Sequence, residues 1–175
     1  MKDEIKSVRS LSGGCINDAA QVETDLGTYF VKLNRGSGKD VKQAYSMFKG
    51  EAESLSSIAE AVPGFAPYAH QVGELETGGA FIITDFLKLS SSSTSSAYQK
   101  ELGERLAKLH DHVEEEGRFG FPCPTYCGAT RLENEWEKDW VTFLAEKRFR
   151  NLIKETSDRE QDNELIALGN EICDK

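Results

Sequence analysis

Seven consecutive residues, Ser90 to Ser96, are all serine or threonine. Such a run cannot bury apolar area, so it reads as a loop or linker. It also divides the chain into two stretches with different hydrophobic periods. Before it the pattern is mostly that of strands. Ile5 to Leu11 is a strand candidate, followed by the turn signal Ser12-Gly13-Gly14-Cys15. Ile16 to Glu23 alternates in part, Asp25-Leu26-Gly27 can reverse the chain, and Thr28 to Leu33 is β-rich. Tyr29, Val31 and Leu33 fall on one side of that strand, Phe30 and Lys32 on the other. Phe48, Ala52, Leu55, Ile58 and Ala59 recur at helical spacing and predict a helix from Tyr45 to Ala61, ended by Pro63-Gly64. Val72 to Leu75 and Ala80 to Leu87 predict two further strands, joined through Glu76-Thr77-Gly78-Gly79.

After the serine run the period turns helical. Tyr98, Leu102, Leu106 and Leu109 form a stripe, and Gly117 to Gly128 reads as a loop. Asn134 with Glu137 reads as a helix N-cap pair, with Trp136, Trp140, Phe143 and Leu144 on one face of the helix it opens. Asp158 to Ile172 predicts another amphipathic helix. The order is that of an α+β protein: a β-rich lobe over 1–87, a linker over 88–97, and the first helices of a second lobe over 98–175.

Charge and composition narrow the partners. The net charge of -9 disfavours broad electrostatic binding to nucleic acid or to an anionic membrane. No apolar run approaches the roughly 20 residues that span a bilayer. Met1-Lys2-Asp3-Glu4 has neither a signal core nor the basic character of a transit peptide. The expectation is a cytoplasmic protein. Cys15, Cys123, Cys127 and Cys173 make no paired zinc spacing, and a reduced compartment suits them better than a disulfide framework.

Several features could carry chemistry. Ser12-Gly13-Gly14-Cys15-Ile16-Asn17 lies between two strands, where glycines let backbone N–H groups close on a phosphate; a plain hairpin turn is the alternative. Lys32 stands on the next strand, as either a phosphate-binding cation or a solvent-facing lysine. Glu51 falls on or beside the apolar stripe of the predicted helix, where a carboxylate is costly unless a cation meets it. Lys32 is the obvious candidate, and Glu53, pointing away from the stripe, is the other carboxylate available. Thr84-Asp85-Phe86-Leu87 closes an apolar strand just before the serine run. His110-Asp111-His112 is not read as a catalytic loop: His110 continues the Leu102–Leu106 stripe, as a packed helix histidine would. Trp136 and Trp140 read as core packing rather than a sugar platform. Cys15, beside backbone N–H groups in a glycine loop, is a candidate redox-reactive thiol.

In order and spacing, several segments together resemble the fructosamine (ketosamine) 3-kinase family. They are Ser12 to Asn17, Tyr29-Phe30-Val31-Lys32, Met47 to Ala52 and Gly78-Gly79-Ala80-Phe81. The resemblance continues through Leu102-Gly103, Leu106 to His110, Phe119-Gly120-Phe121, Thr125 to Gly128, and Trp136 with Asp139-Trp140. It implies a protein-kinase-like, aminoglycoside-phosphotransferase-like fold. It also implies transfer of the ATP γ-phosphate, with Mg2+, to the 3-hydroxyl of fructosamines or ribulosamines. These substrates are borne on glycated proteins or small ketosamines, and their phosphorylation repairs the amine. By position, Gly13, Gly14, Cys15, Ile16 and Asn17 would cover the phosphates, Lys32 would bind them, and Glu51 would hold Lys32. Asp85, Phe86 and Leu87 would hold adenine as a hinge. Cys15 matches a loop cysteine linked in the family to disulfide homodimers.

The family's His-Gly-Asp catalytic loop with its Asn, and the Asp-Pro metal site after it, have no counterpart in the sequence. The expectation is therefore a C-terminally truncated family member, with a complete N-terminal lobe, an incomplete helical lobe and no catalytic or metal-binding residue of its own. Two other readings stay open. One is a non-catalytic, pseudokinase-like module that binds nucleotide or dimerises through Cys15. The other is a phosphotransferase for a different alcohol, such as an aminoglycoside or choline.

Overall fold

The computed structural model describes residues 4–12, 17–36, 40–89, 95–160 and 162–174, without the side chains of Asp40 and Asp158. Contacts divide the chain into two units, Met1–His112 and Val113–Lys175. The division falls one helix after the serine run.

The first unit is built on five strands: β1 (Ile5–Leu11), β2 (Asp18–Thr24), β3 (Thr28–Asn34), β4 (Ala69–Glu74) and β5 (Ala80–Asp85). Their order in the sheet is β1-β2-β3-β5-β4, every neighbouring pair antiparallel. The long connection between β3 and β4 is helix α1, Asp40–Ala61, which begins five residues before the Tyr45 start that periodicity suggested. Its end is sealed by Gly64, whose φ of 74° suits a residue without a Cβ, and by the bond from Phe65 N–H to the Val62 carbonyl.

The register places Phe30, Lys32 and Asn34 of β3 opposite Thr84, Ile82 and Ala80 of β5. Side chains alternate across a sheet, so these six share one face. On β5 those three residues are buried and their neighbours are not. Helix α1 covers this face with Ala44 and Phe48, which form the core with Ala80 and Ile82. Phe48 and Ile82 are fully enclosed, and each such side chain contributes about 1.5–3 kcal/mol by leaving water. Gly79, at φ 97°, closes the β4–β5 turn so tightly that a Cβ there would overlap the Asn34 carbonyl. Helix α2, Ser96–His110, opens on Ser95, whose hydroxyl accepts from Tyr98 N–H. Arg105 reaches from it to the Gly64 carbonyl at 3.2 Å. None of its residues is buried, and His110 is exposed rather than packed.

The second unit departs further from its sequence pattern. The stretch expected to be a loop pairs instead. Phe119 and Glu137 exchange two backbone bonds of 2.8 Å, and Thr125–Cys127 (β6) pairs with Thr130–Leu132 (β7). Asn134 is not a helix cap but a buried hub. Its amide donates to the Cys123 carbonyl at 2.9 Å and to Thr125 Oγ1 at 3.0 Å, while its oxygen accepts from Arg148 Nη2 at 2.6 Å. Arg148 also donates to the Glu133 carbonyl at 2.6 Å and lies over the Phe143 ring. The helix starts later, at α3 (Trp140–Leu144), capped by Asp139, which accepts from Thr142 N–H at 2.7 Å. Trp136 therefore precedes the helix, under the Arg118 guanidinium, and shares no helical face with Trp140. A π-helical segment, Ala145–Arg150, leads into α4 (Asn151–Glu160). The tail helix expected to begin at Asp158 begins instead as α5, Asn163–Cys173, capped by Asp162. Buried Gly169 lets Ile153 lie against it.

Candidate functional site

The polar groups of the first unit fall into three sets along β3 and β5, the first of them on the α1 face of the sheet. Lys32 lies midway along β3, flanked in the sheet by Ala19 of β2 and Ile82 of β5. Glu51 lies one turn after Phe48 on α1, at the edge of the helix face that meets the sheet. The two meet with Lys32 Nζ donating to Glu51 Oε1 at 2.7 Å. Both side chains are 31% exposed. That decides the chemistry open to them: the pair is sheltered enough to be fixed in direction, yet the ammonium has three N–H donors and keeps room for an anion. Glu53 is exposed and takes no part. Gly50, before Glu51, is buried.

At the end of β3 nearest the glycine loop, Asn34 Nδ2 donates to Asn17 Oδ1 at 2.8 Å. This holds Asn17, the last residue of the candidate phosphate loop, against the strand. Gly13, Gly14, Cys15 and Ile16 lie outside the described residues.

The third group is at the far end of β5. Thr84 is buried on the Lys32 face. Asp85, one residue on, falls on the opposite face beside Tyr29. Its carboxylate accepts from Tyr68 N–H at 2.9 Å and from His70 Nε2 at 2.7 Å, and its own N–H donates to the Tyr68 carbonyl at 3.0 Å. The Tyr68 N–H is the main reason the Asp85 carboxyl lies below the ordinary 3.8; partial burial opposes it and His70 adds to it. The Asp85 side chain thus faces β4, which leaves to its main chain any contact on the Lys32 face. Phe86 is half-buried and Leu87 exposed as the chain leaves the sheet.

Sequence reasoning missed His70, Tyr68 and Asn34. A register shift between Ala69 and Gln71 puts His70 beside Asp85, and no strand alternation signals such a shift. Among the described residues, no group of three or more His, Cys, Asp or Glu stands close enough together to hold a metal ion. No helix among them is long and apolar enough to cross a membrane.

The fructosamine kinase family model matches residues 1–174. The chain belongs to the fructosamine kinase family. It is similar to the protein-ribulosamine 3-kinase, chloroplastic, of Arabidopsis thaliana: 36% identical over 166 residues, 95% of this chain and 48% of that one. It is 30% identical to the ketosamine-3-kinase of Mus musculus, over 94% of this chain and 58% of that one. A solved structure from Haemophilus somnus that bears the name fructosamine-3-kinase matches with a TM-score of 0.77 at 23% identity, covering 98% of this chain and 55% of that one. Another, from Thermobifida fusca, gives 0.75 at 20% identity, over 98% and 56%. These matches establish the α+β, protein-kinase-like fold of the family. The chain spans about half the length of the curated relatives it matches.

Proposed function

We propose that this chain is the nucleotide-binding half of a kinase that phosphorylates ketosamines, fructosamines or ribulosamines, at the sugar 3-hydroxyl. The repair of glycated amines would be its purpose. The observation that carries the reading is the 2.7 Å pair between Lys32 and Glu51. A half-buried ion pair that still reaches solvent contributes only about 0–1 kcal/mol to folding, so a carboxylate at the edge of an apolar stripe is weakly explained by stability. It is well explained if Glu51 holds the Lys32 ammonium in place for an anion.

The residues present fit a nucleoside triphosphate. Lys32 would bind phosphate oxygens through the N–H donors Glu51 leaves free. Asn17, tied to Asn34, would set the end of the glycine loop Gly13 to Ile16 over the same phosphates. The main chain of Asp85, Phe86 and Leu87 would take the nucleobase. ATP, when bound, supplies the γ-phosphoryl group for the sugar hydroxyl. Among the described residues no cluster of His, Cys, Asp or Glu stands ready for the magnesium ion. Cytoplasmic location and a Cys15-linked dimer belong to the same proposal.

Calorimetric titration of the purified chain with ATP tests the binding step, with Lys32→Ala as control. The expected result is measurable binding that weakens by about tenfold or more in the variant, the scale of one charge-assisted contact. No binding by the wild-type chain overturns the reading. Incubation with labelled ATP and fructosyl-lysine, ribulosyl-lysine, choline or an aminoglycoside then separates the alternatives. Transfer to ketosamines alone supports the kinase reading. Binding without transfer is what the half-kinase predicts for this chain by itself; a dimer on a non-reducing gel that is lost in Cys15→Ser would favour the nucleotide-binding module instead, and transfer to the other alcohols supports a different phosphotransferase.

A further inference from the structure

The arrangement at the end of β5 is more elaborate than sheet pairing requires. Asp85 makes three bonds to one short stretch of β4 and the residues before it: to both backbone groups of Tyr68 and to the His70 imidazole. The imidazole is itself held edge-on by two rings, Tyr29 at 5.2 Å and 90° and Tyr68 at 5.0 Å and 72°. An aspartate whose backbone N–H and both carboxylate oxygens are all engaged has little freedom in φ, ψ or χ1. The residue it fixes is the last of β5, and Phe86 and Leu87 follow directly.

We infer that His70 is a positioning residue for the nucleobase end of the site. By clasping Asp85 from the sheet's outer face, it sets the main-chain path of Phe86 and Leu87. The inference rests on the nucleotide reading above and deepens it. His70 cannot itself be a nucleobase ligand, because it lies with Asp85 on the face away from Lys32. Its influence passes through the Asp85 backbone. The effect should therefore be confined to one end of the ligand: Lys32 acts on phosphates, and the His70–Asp85 clasp acts on the base.

The experiment compares two probes, ATP and inorganic tripolyphosphate, on the intact chain and on Lys32→Ala, His70→Ala and His70→Gln. The expected result is that His70→Ala weakens ATP by about tenfold while tripolyphosphate binds as before. His70→Gln, which keeps an N–H donor toward Asp85, should recover most of the loss. Lys32→Ala should weaken both probes. Hydrogen exchange supplies a readout independent of ligand: in His70→Ala the amides of Phe86 and Leu87 should exchange faster while those of β3 stay protected. If ATP binding is unchanged in His70→Ala, or if both probes weaken equally, the clasp is a stability device and the inference fails while the nucleotide reading stands. If the wild-type chain binds neither probe, the nucleotide reading itself fails and takes the inference with it.

Discussion

The two units hold themselves together by different means. In the sheet unit the centre is apolar: Ala44 and Phe48 of α1 close on Ala80 and Ile82 of β5, and the polar groups stand at the margin of that contact. In the helical unit the centre is a hydrogen-bonded knot. Asn134 and Arg148 join the β6 segment, the backbone at Glu133 and the π-helical segment, with Phe143 beneath the guanidinium. An apolar core is non-directional and tolerates adjustment, so the groups at its edge are free to be chosen for binding. A polar knot is directional, and every member must be satisfied or it becomes a liability. Lys32 and Glu51 stand where the first kind of core leaves room for function; Asn134 and Arg148 are consumed by the second kind.

That contrast can be tested by substitution. Phe48→Ala removes the largest side chain of the apolar core and should cost about 3–5 kcal/mol. Chemical denaturation should read it as a large drop in midpoint with loss of protection in β3 and β5. Asn134→Ala leaves a guanidinium proton, a carbonyl and a hydroxyl without their partner, and should cost about 1–3 kcal/mol. The same measurement with Asn134→Asp should recover part of the loss, since its carboxylate can still accept from Arg148; if alanine costs nothing, the polar knot is ornamental and the contrast collapses. Lys32→Met and Glu51→Gln should move stability by less than about 1 kcal/mol, yet both should weaken nucleotide binding. A large stability loss from either would mean that the pair belongs to the core rather than to the site.

The smallest effect concerns acid. Asp85 has a folded-state pKa below its ordinary 3.8, chiefly through the Tyr68 N–H. A depressed carboxyl adds stability that is present above the unfolded value and is lost as pH falls through the folded one. Asp85→Asn should therefore flatten a small part of the stability loss below about pH 3.8, seen by thermal melts across that range, and leave melts at neutral pH nearly unshifted in slope with pH.

The sheet unit was legible because its pattern repeats. The helical spacing of Phe48, Ala52 and Leu55 states which face of α1 meets the sheet, whereas β3 is half-buried from Tyr29 to Asn34 and its alternation identifies a strand without naming its covered face. A carboxylate at position 51 is conspicuous only because that face is known. In the helical unit the same reasoning misplaced Asn134 and Trp136. Asn-x-x-Glu before an aromatic run has the form of a capping box, but the segment's backbone groups found partners elsewhere: Glu137 pairs with Phe119, and Phe121 N–H donates to the Asn134 carbonyl. Once those bonds form, the cap falls to Asp139 and Trp136 lies outside the helix.

By itself the sequence determined what depends on neighbours along the chain. That covers the strand meander, the long helix with Glu51 on its inner edge, the change from strands before the serine run to helix after it, and the family resemblance carried by short segments in order. Only the tertiary structure decided what depends on register and on partners far apart in sequence. Lys32 meets Glu51 across 19 residues, Arg148 meets Asn134 across 14, and a shift of register at β4 delivers His70 to Asp85 across 15. A one-residue shift in pairing changes the face on which a side chain lies, and nothing local to His70 or Asp85 records it.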